Sequence, residues 1–81
     1  MFTVYILHSS SLNKYYVGQT AKLDDRIIKH NSGGVQFTSK GVPWKVVYEV
    51  SVETRSLAMQ LEKKIKKRGA KRYLEDIKFG V

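Results

Sequence analysis

The stretch Phe2–Gly18, FTVYILHSSSLNKYYVG, decides the fold of this chain. Its first part alternates apolar and other residues with the period of two that is typical of a half-buried β-strand. A second short strand-like run contains Tyr16 and follows the turn-rich residues 8–13, HSSSLN. The pattern predicts a β-hairpin that brings Tyr5 and Tyr16 onto one small sheet.

A short amphipathic helix is predicted next, because apolar residues recur at helical spacing over residues 21–31. Arg26 and His30 lie four residues apart on this helix and therefore share one flank, beside its apolar stripe. This placement lets both side chains reach over the edge of the sheet. Residues 32–43 are rich in glycine and serine, which predicts a surface loop.

The second half of the chain predicts a strand followed by two helices. Residues 44–52 alternate, which predicts a third strand with Trp44 in the core and with four residues on one face: Trp44, Val46, Tyr48 and Val50. Thr54 is a plausible cap for a helix that Gly69 ends. That helix is expected to bury the stripe Leu57, Ala58, Leu61 and Ile65. Residues 70–78 predict a last helix with Tyr73, Leu74 and Ile77 directed inward.

These elements together predict an α+β fold. Residues 1–81 are expected to form one domain with a three-stranded antiparallel sheet, its first strand central, flanked by three helices in the order β-β-α-β-α-α. The chain has no cysteine, which excludes a disulfide framework and a thiolate zinc site. It has no secretory signal pattern and no run of the roughly 20 apolar residues that a membrane span needs, so a soluble, cytoplasmic protein is expected.

The charge of the chain favours a polyanionic partner. Lys and Arg number 15 against 7 Asp and Glu, a formal net charge of +8 with a pI near 9.9. Nucleic acid is therefore expected ahead of an anionic membrane. The residues expected to contact phosphates are Lys40 in the loop and the basic run of the last two helices, Lys63, Lys64, Lys66, Lys67, Arg68, Lys71 and Arg72.

Several motifs, taken in order, resemble the GIY-YIG nuclease superfamily and its small single-domain bacterial members. Residues 3–5 read Thr-Val-Tyr and residues 16–18 read Tyr-Val-Gly where the superfamily has its two tripeptides, with ten residues between the two tyrosines. The match continues through Arg26, His30, Phe37-Thr38, Pro43-Trp44 and Glu62. Two features depart from the pattern: Thr3 and Val4 replace the first glycine and isoleucine, and no asparagine follows Asn31.

The resemblance implies a metal-dependent endonuclease that hydrolyses DNA phosphodiester bonds, in DNA repair or processing. Tyr16 would act as general base or nucleophile, and Tyr5 would position it or the attacking water. Arg26 would clamp the phosphate, His30 would orient or relay, and Glu62 would hold one Mg²⁺ or Mn²⁺ ion. A lone carboxylate suits an ion that takes its other ligands from water and substrate phosphate, so binding mainly with substrate is expected.

Other interpretations of the same residues stay open from the sequence. The tyrosines also fit strand aromatics that close a core, His30 fits a helix cap, and Glu62 fits a solvated charged face. The whole chain also fits a non-catalytic nucleic-acid-binding module for branched or single-stranded DNA or structured RNA. A protein-interaction domain of a repair complex has less support, because the charge is so one-sided. Oligomeric state is open, and sequence preference would come from the loops or from a protein partner.

Overall fold

The computed structural model describes residues 1–32 and 40–79. Its elements are β1 (Phe2–Ser9), β2 (Lys14–Thr20), α1 (Leu23–Asn31), β3 (Trp44–Val52), α2 (Arg55–Arg68) and α3 (Ala70–Phe79). The predicted α+β class and element order are confirmed. Most of the predicted loop, including the Phe37-Thr38 pair of the family pattern, lies outside the described residues.

The sheet is antiparallel with strand order β2-β1-β3, so the first strand is central as predicted. The expectation that β1 is half-buried is wrong. Four consecutive residues, Val4, Tyr5, Ile6 and Leu7, are each at most 1% exposed. A central strand covered by helices on both faces buries the side chains on both of its faces. Successive side chains of β1 therefore belong to two different cores.

A β-bulge interrupts the pairing of β3 with β1. Ile6 pairs with Tyr48, whereas the next residue, Leu7, pairs with Val46, so Val47 is the extra residue. The bulge reverses which face the side chains of β3 occupy. The predicted single apolar face of this strand is therefore wrong: Trp44 and Val46 pack with α1, whereas Tyr48 and Val50 pack on the opposite side.

Two hydrophobic cores lie on the two faces of the sheet. Helices α2 and α3 cover one face, where Val4, Ile6 and Val17 meet Ala58 and Ile65. Helix α1 covers the other face, where Leu23 and Ile27 pack against the remaining buried residues, Tyr5, Leu7 and Trp44. We call these the α2/α3 face and the α1 face. The prediction that Trp44 belongs to the core is confirmed.

The ends of α2 follow the predicted signals. Thr54 Oγ1 accepts a hydrogen bond from the backbone N–H of Leu57 at 3.1 Å, and Gly69 follows the helix with a φ of 93° that L side chains rarely adopt. The predicted burial is wrong at two positions, because Leu57 and Ile77 are 47% and 41% exposed. Among the described helices, none combines the length and apolarity needed to cross a membrane.

Candidate active site

Tyr5 and Tyr16 lie side by side on the α1 face of the hairpin. The register pairs Tyr5 with Gly18 and Leu7 with Tyr16, so the two tyrosines are diagonal neighbours. Their ring centroids are 6.3 Å apart. A Cβ atom on Gly18 would lie 2.6 Å from the hydroxyl oxygen of Tyr5, so only glycine leaves room for this ring. The last residue of the Tyr-Val-Gly motif therefore shapes the site.

His30 contacts both tyrosines from helix α1. Its side chain is fully buried, and its Nε2 lies 3.2 Å from the Tyr5 hydroxyl. Its ring meets the Tyr16 ring edge-on, with centroids 4.8 Å apart. Burial, together with the nearby positive charge of Arg26, lowers the pKa of His30 below its ordinary value, so the imidazole is neutral at neutral pH. The helix-cap interpretation of His30 does not explain these contacts.

Arg26 reaches the same hydroxyl group. Burial, together with the nearby Tyr16, raises the pKa of Tyr5 to about 12, although the charge of Arg26 and its hydrogen bond to Tyr5 act in the opposite direction. A guanidinium group only donates, so the Tyr5 oxygen accepts from Arg26. The same hydroxyl group shares its other hydrogen bond with His30 Nε2, and the tautomer of the imidazole decides which of the two groups donates. Arg26, Tyr5 and His30 form one hydrogen-bonded chain.

Glu62 approaches this cluster from the other side of the sheet. Its carboxylate raises the pKa of Tyr5, which places it within electrostatic range of that hydroxyl. The Glu62 side chain is 21% exposed, and its carboxylate forms an ion pair with Lys66 Nζ at 2.7 Å, one turn further along α2. A 440 Å³ depression connects Glu62 and Lys66 with Gln19 of β2. Glu62 thus lies at the edge of the cluster, partly open to solvent.

The donor set fits a weakly held hard cation. Within residues 1–32 and 40–79, no three His, Asp or Glu side chains gather into a metal-binding group. Glu62 alone offers carboxylate oxygens, which Mg²⁺ prefers, and an ion there would take most of its ligands from water and substrate. Lys66 already provides a positive charge to that carboxylate. A cation at Glu62 must therefore displace or share this ion pair.

Asn31 fixes the helix that carries Arg26 and His30. Its amide oxygen accepts from the backbone N–H of Trp44 at 2.6 Å, and its Nδ2 donates to the Trp44 carbonyl at 3.2 Å. This side chain therefore closes a two-point bridge between the end of α1 and the start of β3. The sequence alone does not indicate this bridge, because a polar residue at a helix end usually acts locally.

The basic run is exposed, but two of its members have partners. Lys66 pairs with Glu62, and Arg68 makes two hydrogen bonds to the Asp76 carboxylate at 2.8 and 2.9 Å. These two pairs form because i,i+4 spacing within α2 and the turn between α2 and α3 bring acids close. Lys40 is also exposed. The remaining exposed cations of the run are Lys63, Lys64, Lys67, Lys71 and Arg72.

Comparison with known proteins identifies the family. The sequence profile of the GIY-YIG catalytic domain matches residues 1–74. The chain belongs to the GIY-YIG family. A UPF0213 protein from Staphylococcus saprophyticus is 38% identical over 52 residues, which cover 63% of this GIY-YIG chain and 63% of that relative. The match thus spans less than two thirds of the relative's length.

A solved structure extends the likeness to nearly the whole GIY-YIG chain. The solution NMR structure of a UPF0213 protein from Bacillus halodurans superposes with a TM-score of 0.58 at 29% identity. The superposition covers 96% of this chain and 84% of the Bacillus chain. The resemblance inferred from the hairpin tyrosines is therefore confirmed at the level of family and fold.

Proposed function

We propose that this GIY-YIG domain is a metal-dependent endonuclease that hydrolyses phosphodiester bonds in DNA, in the context of DNA repair or processing. The observation that carries the proposal is the Tyr5 hydroxyl, which is held between His30 and Arg26 and lies within range of Tyr16 and Glu62. Placing the Tyr5 hydroxyl and the His30 imidazole in the interior costs stability unless both are hydrogen-bonded, and a purely structural core would not need them there. Such clusters are typical of catalytic sites.

Each residue of the cluster has a role that its environment supports. Tyr16 is the general base or nucleophile, because it contacts His30 yet remains half-buried rather than enclosed. Tyr5 keeps its proton at neutral pH, since its pKa is about 12, and so acts as a positioning donor. Arg26 neutralises charge that develops on the phosphate. His30 contacts both Tyr5 and Tyr16 and fixes the positions of their side chains relative to each other.

Glu62 is the residue that would hold the metal, Mg²⁺ or Mn²⁺. When bound, such an ion neutralises phosphate charge and lowers the pKa of a coordinated water. Because Lys66 occupies the Glu62 carboxylate in the free protein, we expect tight metal binding only when substrate phosphate supplies further ligands. Glu62 itself keeps a carboxylate at the edge of the cluster, close to where the phosphate held by Arg26 would lie.

The alternative is a nucleic-acid-binding module of the same fold without catalysis, for DNA or for structured RNA. One observation favours it: the only carboxylate among the described residues that acts on Tyr5 is already paired with a lysine. A site of this kind would bind a phosphate through Arg26 and the lysines and release it uncut. Both proposals use the same basic surface.

The test is cleavage of supercoiled plasmid, of a branched DNA and of single-stranded DNA, with Mg²⁺ or Mn²⁺ or with a chelator. Tyr16→Phe and Glu62→Ala remove the two reactive groups. Tyr48→Phe and Glu49→Ala are matched controls, because Tyr48 packs on the α2/α3 face and Glu49 is exposed on β3. Loss of a general base typically lowers rates by about 10² to 10⁴.

The endonuclease is supported if cleavage requires metal, disappears in Tyr16→Phe and Glu62→Ala, and persists in both controls. The binding module is supported if no substrate is cut while wild type and both site variants bind DNA or RNA equally at low salt. Cleavage that survives Tyr16→Phe would contradict the role proposed for that tyrosine.

A further inference from the structure

A basic groove lies beside the site, at the outer edge of β2. It encloses about 720 Å³ between this strand and the turn from α2 to α3. Tyr16 lines the groove and also belongs to the candidate catalytic cluster, so the two share this residue. The residues that line the groove are Tyr15, Tyr16 and Val17 from β2 and Lys66, Arg68, Gly69, Ala70, Lys71 and Arg72 from the helices.

The rim of the groove carries unbalanced positive charge. Lys66 forms an ion pair with Glu62, and Arg68 forms one with Asp76, so these two positive charges are balanced. Lys71 and Arg72 are exposed, and no acidic side chain among residues 1–32 and 40–79 forms an ion pair with either. Two cations of the rim are therefore available to a phosphate backbone.

The floor of the groove is apolar and aromatic. Val17 and Ala70 contribute to it, together with the half-buried Tyr15, whose ring also contacts the His8 ring at a tilt of 47° with centroids 4.8 Å apart. In a duplex the faces of the bases are stacked inside, and a protein reaches only base edges in the grooves and the sugar–phosphate backbone. A tyrosine beside two cations without ion-pair partners is suited to bind an unpaired nucleotide. The base can stack on the tyrosine ring, and the phosphate can contact the two cations.

We propose that this groove binds unpaired nucleotides of the DNA strand adjoining the scissile phosphate. The base of one nucleotide stacks on Tyr15, and the neighbouring phosphates contact Lys71 and Arg72. Because Tyr16 belongs to both, a strand that leaves the groove around this residue would bring its next phosphate towards Arg26. The inference rests on the proposed nuclease function and names its substrate class: DNA with a single-stranded segment.

Binding is measured with the full chain in chelator, so that no strand is cut, by fluorescence anisotropy over a range of salt concentrations. The probes are labelled oligothymidylate of about twelve nucleotides, within the site sizes of single-strand binders, an abasic strand of the same length, and a duplex. The double variant Lys71→Ala/Arg72→Ala is compared with Lys29→Ala/Lys45→Ala, which removes the same charge from exposed positions outside both the groove and the basic run.

The charge arm has a defined expectation. Removing one cation that neutralises a phosphate of a single strand lowers the salt slope of binding by about 0.7. Lys71→Ala/Arg72→Ala should therefore lower it by about 1.4, whereas the control pair leaves it unchanged. Equal slopes in the two double variants would mean a diffuse polyanion surface and would overturn the groove as a site.

The stacking arm uses Tyr15→Leu, which keeps an apolar side chain, and Tyr15→Phe, which keeps an aromatic ring. Tyr15→Leu should weaken oligothymidylate binding by about fivefold or more, leave binding of the abasic strand unchanged, and be rescued by Tyr15→Phe. Circular dichroism shows that each variant is folded. Equal losses on both strands, or a duplex bound as tightly as oligothymidylate, would refute the proposal.

The groove proposal and the proposed nuclease function can fail independently of each other. If the groove variants bind normally while Tyr16→Phe still abolishes cleavage, the groove inference fails and the nuclease stands. If the groove behaves as expected and no substrate is cut, the chain is a single-strand-binding module. An oligoribothymidylate strand bound more tightly than the DNA strand would assign the groove to RNA and overturn the substrate class.

Discussion

The two faces of the sheet are built from one central strand and serve different ends. On the α2/α3 face, Val4 and Ile6 meet aliphatic side chains such as Ile65, and the core there is held by burial of apolar area. On the α1 face, Tyr5 meets the imidazole of His30 inside the fold. Neighbouring residues of a strand lie on opposite faces of the sheet. Adjacent residues of β1 therefore contribute to the aliphatic core and to the candidate site.

Helix α2 is where this separation is incomplete. It covers the aliphatic face with Ala58 and Ile65, yet Glu62 of the same helix acts on Tyr5 and pairs with Lys66. The position of the carboxylate therefore depends on the packing of the other face. Substitutions on the two faces should accordingly affect different measurements, except at Glu62 and its partner.

The largest expected effect is on stability and belongs to the α2/α3 face. Ile65 is fully buried, so Ile65→Ala should lower the free energy of unfolding by about 2–5 kcal/mol, measured by urea denaturation. The loss comes from the removed packing of the side chain and the cavity it leaves. Where the variant is folded, its cleavage rate per folded molecule should stay near wild type; a large loss in that rate would show that the two faces are not separable.

The next effect is on the site itself. Gly18→Ala places a methyl group against the Tyr5 ring, which is 1% exposed and has little room to move. Overpacking of this kind costs about 1–3 kcal/mol, and the hydrogen bond from Tyr5 to His30 should lengthen or break. Gly69→Ala is the control, because Gly69 has a strained φ of 93° but no atom near its missing Cβ. The His30 ring signals in NMR should shift only in Gly18→Ala.

Asn31→Ala should loosen α1 while leaving the other face intact. The two hydrogen bonds to Trp44 are removed, at a net cost of about 1 kcal/mol for each bond, and the helix bearing Arg26 and His30 gains freedom. Backbone amide exchange should quicken in α1 and stay unchanged in α2. Uniform quickening in both helices would instead mean that Asn31 supports the whole fold.

The stability of the domain should also fall in mild acid through the α1 face. Because the pKa of His30 is lowered in the folded protein, the unfolded chain takes up a proton at a higher pH than the folded chain does. Stability is therefore complete above the ordinary histidine pKa of about 6.5 and declines as the pH falls below it. His30→Gln should remove this part of the decline in urea titrations, whereas His8→Gln should leave it.

The smallest expected effect concerns the link between the faces. Lys66→Met removes the exposed ion pair to Glu62, and methionine has a helix propensity similar to that of lysine. The free energy of unfolding should therefore change by only about 0.3–0.5 kcal/mol, while the Glu62 carboxylate becomes free. Mn²⁺ binding without DNA, followed by electron paramagnetic resonance, should tighten slightly. Unchanged or weaker binding would show that Lys66 does not compete with a cation, and Lys63→Met serves as the control.

The sequence predicted the element order because it depends on local signals, whereas the resemblance of its motifs predicted the family and nominated the five site residues Tyr5, Tyr16, Arg26, His30 and Glu62. A period of two, helical spacing, Thr54 as a cap and Gly69 as a stop act within a few residues. The bulge at Val47 was missed, since it conserves the alternating pattern while reversing the face of Trp44. The exposure of Leu57 was missed because one helix covers less of a small sheet than its stripe suggests.

By itself, the sequence determined which residues carry reactive groups and in which order the elements follow, because spacing and turn chemistry are properties of neighbouring residues. Only the tertiary structure decided that His30 is buried against Tyr5, that Asn31 ties α1 to Trp44, and that Glu62 lies within electrostatic range of Tyr5. The first two contacts join residues at least 13 positions apart. They form only once the helices pack on both faces of β1, which no local pattern specifies.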